Sequence, residues 1–159
     1  MRFLKVIIGL LFLSVVLLWC LSSHRTISCR VVGIKDGDTV EILTSDRKTI
    51  IVRLNGIDAP EKDQPYSQKS KESLSRLVFG KQVKLYSFGN DRYGRLIADV
   101  YVDSINVNYI QVAEGLAWHY TKYSDDTILA QLEQQAREQK LGLWQEKEPM
   151  PPWKFRKNK

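Results

Sequence analysis

"TISCRVVGIKDGDTVEILTSDRKTIIVRL", residues 26–54, decides the fold class. Ile27, Cys29 and Val31 alternate with Ser28, Arg30 and Val32, the two-residue period of a half-buried strand over 26–35. Asp36-Gly37 then predicts a turn in which the glycine supplies a positive φ. Residues 38–43 read as a second strand, Ser45-Asp46-Arg47-Lys48 as a polar hairpin loop and 49–54 as a third strand. Three strands joined by tight turns make a meander, with charged turns at both ends.

Beyond the meander the period changes. Leu74, Leu77 and Val78 recur at helical spacing, with Ser67 a plausible N-cap and Gly80 a plausible terminator, so a helix is predicted over 67–79. Alternation returns at 82–88 and 95–102, joined by residues 89–94, which gives a fourth and fifth strand in a hairpin. A short helix from Val107 ends at Gly115. The last helix is capped by Asp125 or Asp126 and carries the stripe Ile128, Leu129, Leu132 and Ala136. The expectation is a mainly β, α+β domain: a five-stranded barrel of the OB-fold kind with three helices.

The chain of 159 residues has room for one such domain. Its net charge of +6 favours polyanionic partners without identifying one. Residues 6–21 are uncharged and apolar, and follow Arg2 and Lys5. That run lies between the length of a signal peptide's core and that of a membrane-spanning helix, so residues 1–23 are a signal peptide or an N-terminal membrane anchor. Either way the remainder is exported: secreted, periplasmic, or held at the membrane. Residues 24–146 form the barrel domain and 147–159 a basic C-terminal tail, expected to be a solvated end. Two cysteines, Cys20 and Cys29, and two distant histidines, His24 and His119, provide neither a disulfide framework nor an ordinary zinc site. His119 is expected at the surface. Any metal must be held by oxygen.

Three charged turns then gain a common meaning. "DGDT" (36–39), "RLNGIDAPE" (53–61) and "DRYGR" (91–95) are each explicable as ordinary turns. Together they supply what phosphodiester cleavage requires. Asp38 and Asp58 can hold a divalent cation against a phosphate. Arg53 and Arg95 can clamp phosphate oxygens with paired hydrogen bonds as the pentacoordinate state gains charge. Glu61 is left to orient or deprotonate a water. An EF-hand calcium loop is excluded, because no ladder of Asp/Asn ligands ends in a glutamate at the required spacing.

"VVGIKDGDTVEI" (31–42), "VRLNGIDAPE" (52–61), "DRYGRLIADVY" (91–101), "VAEGLAWHY" (112–120) and "AREQKLGLW" (136–144) occur in the order and spacing of staphylococcal nuclease (thermonuclease-like) domains. The chain resembles that family over roughly residues 27–144. The resemblance implies an OB barrel with three helices and calcium-dependent hydrolysis of DNA and RNA with little sequence specificity, leaving 3′-phosphate ends. It implies Asp38, Asp58 and the backbone carbonyl of Ala59 as ligands of one Ca2+ per site. Ala59 stands where the best-known member has threonine. It further implies Arg53, Glu61 and Arg95 as catalytic residues and Asp36 as an acid behind the metal. Arg92, Tyr93, Tyr120 and Tyr123 fall on substrate-contacting positions, the last two as rings on which a base stacks. DNA and RNA are the implied partners, and a monomer is expected. A non-catalytic OB module binding nucleic acid or another polyanion at the cell envelope is the alternative from a different class.

Overall fold

The computed structural model describes residues 26–158. The apolar run 6–21, with Cys20 and His24, lies outside the described residues. The meander forms as the alternation predicts: β1 (Thr26–Ile34), β2 (Thr39–Leu43) and β3 (Thr49–Leu54), each antiparallel to the next. Two longer strands follow, β5 (Gln82–Asn90) and β6 (Leu96–Val102), after the two-residue β4 (Ile57–Asp58). β5 pairs antiparallel with β1 and β6, and β6 returns parallel to β3, so the order β3-β2-β1-β5-β6 closes on itself. Closure leaves these five strands without a bare edge. A two-residue β7 (Ile105–Asn106) extends β6.

The barrel interior follows from side-chain alternation. Val31, Val40, Ile42, Val52, Leu85, Ala98 and Val100 are fully buried. In the run Ile50-Ile51-Val52 only Val52 is fully enclosed, while Ile51 faces out, as a two-residue period requires. Helix α1 (Ser67–Val78) closes one end with Leu74 and Val78. α2 (Val107–Ala113) packs on α3 (Thr127–Glu138). Asp126 is the N-cap of α3, accepting from Ile128 and Leu129 N–H, and Asn106 caps α2 in the same way.

Ser67 does not cap α1. Tyr66 is the N-cap, in the left-handed region at φ 66°, and Ser67 Oγ donates instead to the Lys62 carbonyl. Two features had no periodicity to announce them. β4 pairs with β8 (Trp118–His119) in a separate two-stranded ladder, and a fourth helix, α4 (Pro152–Phe155), forms within the tail. α4 is held by a second apolar cluster in which Trp118 packs edge-on against both Trp144, at 4.4 Å, and Trp153, at 5.6 Å. The Arg137 guanidinium lies over Trp144, 3.6 Å from its centroid. The tail is therefore packed against the domain rather than solvated. Among the described residues no helix is long and apolar enough to cross a membrane.

Gly37 is required by space rather than by dihedral: it has no positive φ, contrary to the turn expected at Asp36-Gly37. A Cβ there would lie 1.9 Å from Ser70 Oγ and 2.8 Å from the Ala59 Cβ. The Gly37 carbonyl also accepts from the buried Gln111 Nε2 at 2.7 Å, tying the turn to α2. Gly37→Ala is expected to destabilise the fold by about 1–3 kcal/mol through overpacking. Urea unfolding checks this, and wild-type stability in the variant would refute it.

Candidate active site

The loop before β2, the end of β3 and β4 deliver three charges to one place. Asp38 immediately precedes β2, and its neighbour Thr39 pairs with Arg53 across the β2–β3 ladder. The Asp38 carbonyl accepts from Leu54 N–H at 2.8 Å, which fixes the start of β2 against the end of β3. Asp58 sits on β4 opposite Trp118 and is only 1% exposed; Asp38 is 5% exposed. Arg53 bridges them, with Nη1 2.9 Å from Asp38 Oδ2 and Nη2 2.8 Å from Asp58 Oδ1. The Ala59 N–H donates to Asp38 Oδ2, so the chain segment after Asp58 folds back onto the first carboxylate. Asp36 Oδ1 accepts from the Asp38 N–H at 3.1 Å, an Asx turn that orients Asp38 from behind.

Burial pushes the Asp38 carboxyl up to about 8, more than the Arg53 charge offsets, with the Asp36 and Asp58 carboxylates adding to the rise. Burial also raises Asp58, against the hydrogen bonds and charge of Arg156 and the charge of Arg53. The two arginines offset only part of the cost of burying this pair, and a bound cation would relieve more of it.

Arg156, in the tail, completes the cluster and was not foreseen. Its Nη2 lies 2.8 Å from Asp58 Oδ2, and its Nη1 lies 2.6 Å from Glu61 Oε1 and 3.2 Å from Asp58 Oδ1. Burial works against its charge, yet the bonds to Asp58 and Glu61 prevail and hold its pKa above the ordinary arginine value. Nothing in "KFRKNK" (154–159) distinguishes Arg156 from its neighbours by pattern. The Pro-rich stretch before it, with Pro149, Pro151 and Pro152, and the aromatic Trp153 were the available signal that the tail docks. Gln64 joins the two segments, accepting from the Glu61 N–H and donating to the Met150 carbonyl at 2.8 Å.

Arg95 immediately precedes β6, at another wall of the cleft. Asp91 holds it, with contacts of 2.8 Å to Nε and 2.7 Å to Nη2, and also accepts from the Arg95 and Tyr93 backbone N–H groups. Burial is the largest single influence and opposes the Asp91 charge, but the Arg95 and Tyr93 contacts together keep its pKa below the usual carboxylate value. Asp91 lies inside the quoted "DRYGR", but only the fold shows that it positions Arg95. The Arg92 guanidinium lies over the Tyr93 ring, 4.7 Å from its centroid.

Asp36, Asp38, Arg53, Asp58, Glu61 and Arg95 line one cleft of about 1430 Å³, which also reaches Arg92, Tyr93, Tyr120 and Tyr123. The two tyrosines in "WHYTKY" differ. Tyr120 is covered on one face by Trp153, stacked at 5.0 Å and 6°, and meets Tyr123 edge-on at 4.9 Å. That face is not available to a base, while Tyr120 still lines the cleft. Tyr123 is 67% exposed. His119, expected at the surface, is 4% exposed on β8, and its Nε2 lies 3.2 Å from Ser124 Oγ.

Among the described residues no three His, Cys, Asp or Glu side chains converge as a metal cage. The donor chemistry present is two buried carboxylates, Asp38 and Asp58, both hard oxygen. That set fits a hard divalent cation that keeps part of its water, and does not fit a thiophilic or imidazole-bound metal.

The closed five-strand barrel and its rim of carboxylates and guanidiniums define an OB-type domain with a polyanion-directed cleft. Residues 51–146 match the family described as staphylococcal nuclease homologue, and the chain belongs to that family. It is 47% identical over 131 residues to an uncharacterized endonuclease of Escherichia coli O157:H7, covering 82% of this chain and 85% of that protein. It is 45% identical over 149 residues to an uncharacterized endonuclease of Haemophilus influenzae, covering 94% and 83%. A protein named micrococcal nuclease from Shigella flexneri is 37% identical over 155 residues, covering 91% and 88%.

Proposed function

We propose that this chain is a calcium-dependent nuclease that hydrolyses phosphodiester bonds of DNA and RNA with little sequence preference and leaves 3′-phosphate ends. The observation that carries this reading is the Arg53 bridge between two buried carboxylates, in a cleft shared with Glu61 and Arg95. Family membership and relatives named endonuclease or micrococcal nuclease support it.

Asp38, Asp58 and the Ala59 carbonyl would hold the cation. Calcium, when bound, supplies charge that neutralises and orients the scissile phosphate. Glu61 accepts the proton of the attacking water. Arg95 donates N–H bonds to phosphate oxygens as the pentacoordinate state forms, and Arg53 does so from between the carboxylates. Water adds to phosphorus while the bond to the 5′ oxygen breaks, the departing 5′ oxygen takes a proton from solvent to become a hydroxyl, and the phosphate stays on the 3′ side. Arg92, Tyr93 and Tyr123 hold the flanking nucleotide, with Tyr123 offering a ring for base stacking. Little sequence preference follows from a site that addresses phosphate and ring faces rather than base edges. The enzyme acts as a monomer, exported by residues 1–23 and either released or anchored by them.

The test is cleavage of labelled single-stranded DNA with added calcium and with chelator, by the wild-type chain and by Glu61→Gln. Calcium-dependent fragments from the wild type are expected. The variant is expected to be slower by about 10²–10⁴-fold, the usual contribution of a positioned general base. DNA that is retarded but uncut under every condition would leave a binding module instead.

A further inference from the structure

The tail reaches the cleft by a rigid route. Pro152 is buried, the Met150 carbonyl is held by Gln64, and Trp153 is fixed between Trp118 and Tyr120. α4 therefore presents Arg156 to the carboxylates from a fixed base, and the guanidinium takes both oxygens of Asp58 as well as Glu61. Asp58 Oδ1 already accepts from Arg53.

Asp58 Oδ1 accepts from both Arg53 and Arg156, which occupies its two lone pairs, and Oδ2 accepts from Arg156, which leaves one. A cation therefore has to displace a guanidinium from Oδ1 or approach Oδ2 beside Arg156, whose charge repels it. Movement of Arg156 alone is enough. Its side chain is 42% exposed, at the end of α4, and it can turn to solvent while Trp153 stays packed. We propose that Arg156 is an internal competitor of the divalent cation, clamping Asp58 and Glu61 until the cation exchanges with its guanidinium. The inference rests on the proposed metal role of Asp58. It makes the C-terminal segment a threshold on metal occupancy: the charge of Asp58 is offset and one oxygen of Glu61 is engaged by the guanidinium when the cation is scarce.

The experiment is calorimetric titration of calcium into the full chain and three variants: Arg156→Gln, Lys154→Gln and Asp58→Asn. A second form ending at Phe155 removes Arg156 without leaving a new side chain. Lys154 lies on the same helical turn, is exposed, and loses the same charge without touching Asp58. Arg156→Gln and the shortened chain are expected to bind calcium about tenfold more tightly, a modest effect for a partly solvated charge. Lys154→Gln is expected to match the wild type, and Asp58→Asn to lose binding. Equal or weaker calcium affinity in Arg156→Gln and the shortened chain, with Asp58→Asn still defective, overturns the competition and leaves the metal site standing. Tightening of the same size in Lys154→Gln also overturns it, by showing a general charge effect. Calcium binding in none of the proteins, wild type included, overturns both the competition and the metal site.

Discussion

Arg53→Ala is expected to lose stability in a pH-dependent way and to lose turnover by two orders of magnitude or more. Arg53 is the one side chain that touches both Asp38 and Asp58 among the described residues. Breaking a buried ion pair by removing one partner costs about 3–5 kcal/mol, and the lower end applies because Asp58 keeps Arg156. The pH dependence follows from Asp38. In the folded chain it keeps its proton up to about pH 8, whereas its ordinary value is 3.8. Between those values the folded state holds a proton that the unfolded state has lost, so the contribution of Asp38 to stability falls as pH rises. Removing Arg53 takes away the charge that moderates this rise, so the decline keeps its slope and extends to higher pH. Urea unfolding in chelator at pH 5, 7 and 9 should therefore show the smallest loss at pH 5, where Asp38 is protonated with or without Arg53, and the largest at pH 9. An equal loss at all three would show that Arg53 acts through packing and not charge. The turnover loss follows from the phosphate contacts, since removing one such donor costs about 10²–10³-fold.

The contrast between what was legible in the sequence and what was not has a physical basis. Strands β1, β2, β3, β5 and β6 were legible because each buries one face, which imposes a two-residue period on the chain. β4 and β8 are two residues each and fully buried, so no period could reveal them, yet their pairing delivers Asp58 and buries His119. The expected alternatives for the α3 cap resolve to Asp126, because only its carboxylate reaches the helix N–H groups as cap. Ser67 fails as a cap because Tyr66 takes the left-handed conformation and turns the hydroxyl back to Lys62. Resemblance to the family, read on the three charged turns, grouped Asp38, Arg53, Asp58, Glu61 and Arg95 before the fold brought them to one cleft. It did not show Arg156, which reaches Asp58 across 98 residues of chain, because a long-range pair with no partner motif leaves no local trace.

Arg95 offers the sharper separation of chemistry from folding. It is partly exposed, and the ion pair that holds it is with Asp91, four residues earlier in the same turn. Arg95→Ala should leave the unfolding curve within about 1 kcal/mol of wild type, as for a surface pair, while reducing turnover by about 10²–10³-fold, as for loss of a donor to a charged transition state. Arg95→Lys should not restore the rate, because an ammonium cannot form the paired contacts of a guanidinium or keep the two bonds to Asp91. Asp91→Asn is the informative companion. Asp91 does not contact substrate in this scheme; it orients Arg95 through Nε and Nη2 and closes the turn through two backbone N–H groups. Loss of its charge should lower kcat by about tenfold, the penalty for weakening one charge-assisted bond, with KM little changed, because ground-state binding still has Arg92 and Tyr93 in the cleft. A kcat unchanged in Arg95→Ala would remove Arg95 from the chemistry. An Asp91→Asn loss confined to KM would make the β5–β6 turn a substrate-gripping element rather than a support for the transition state.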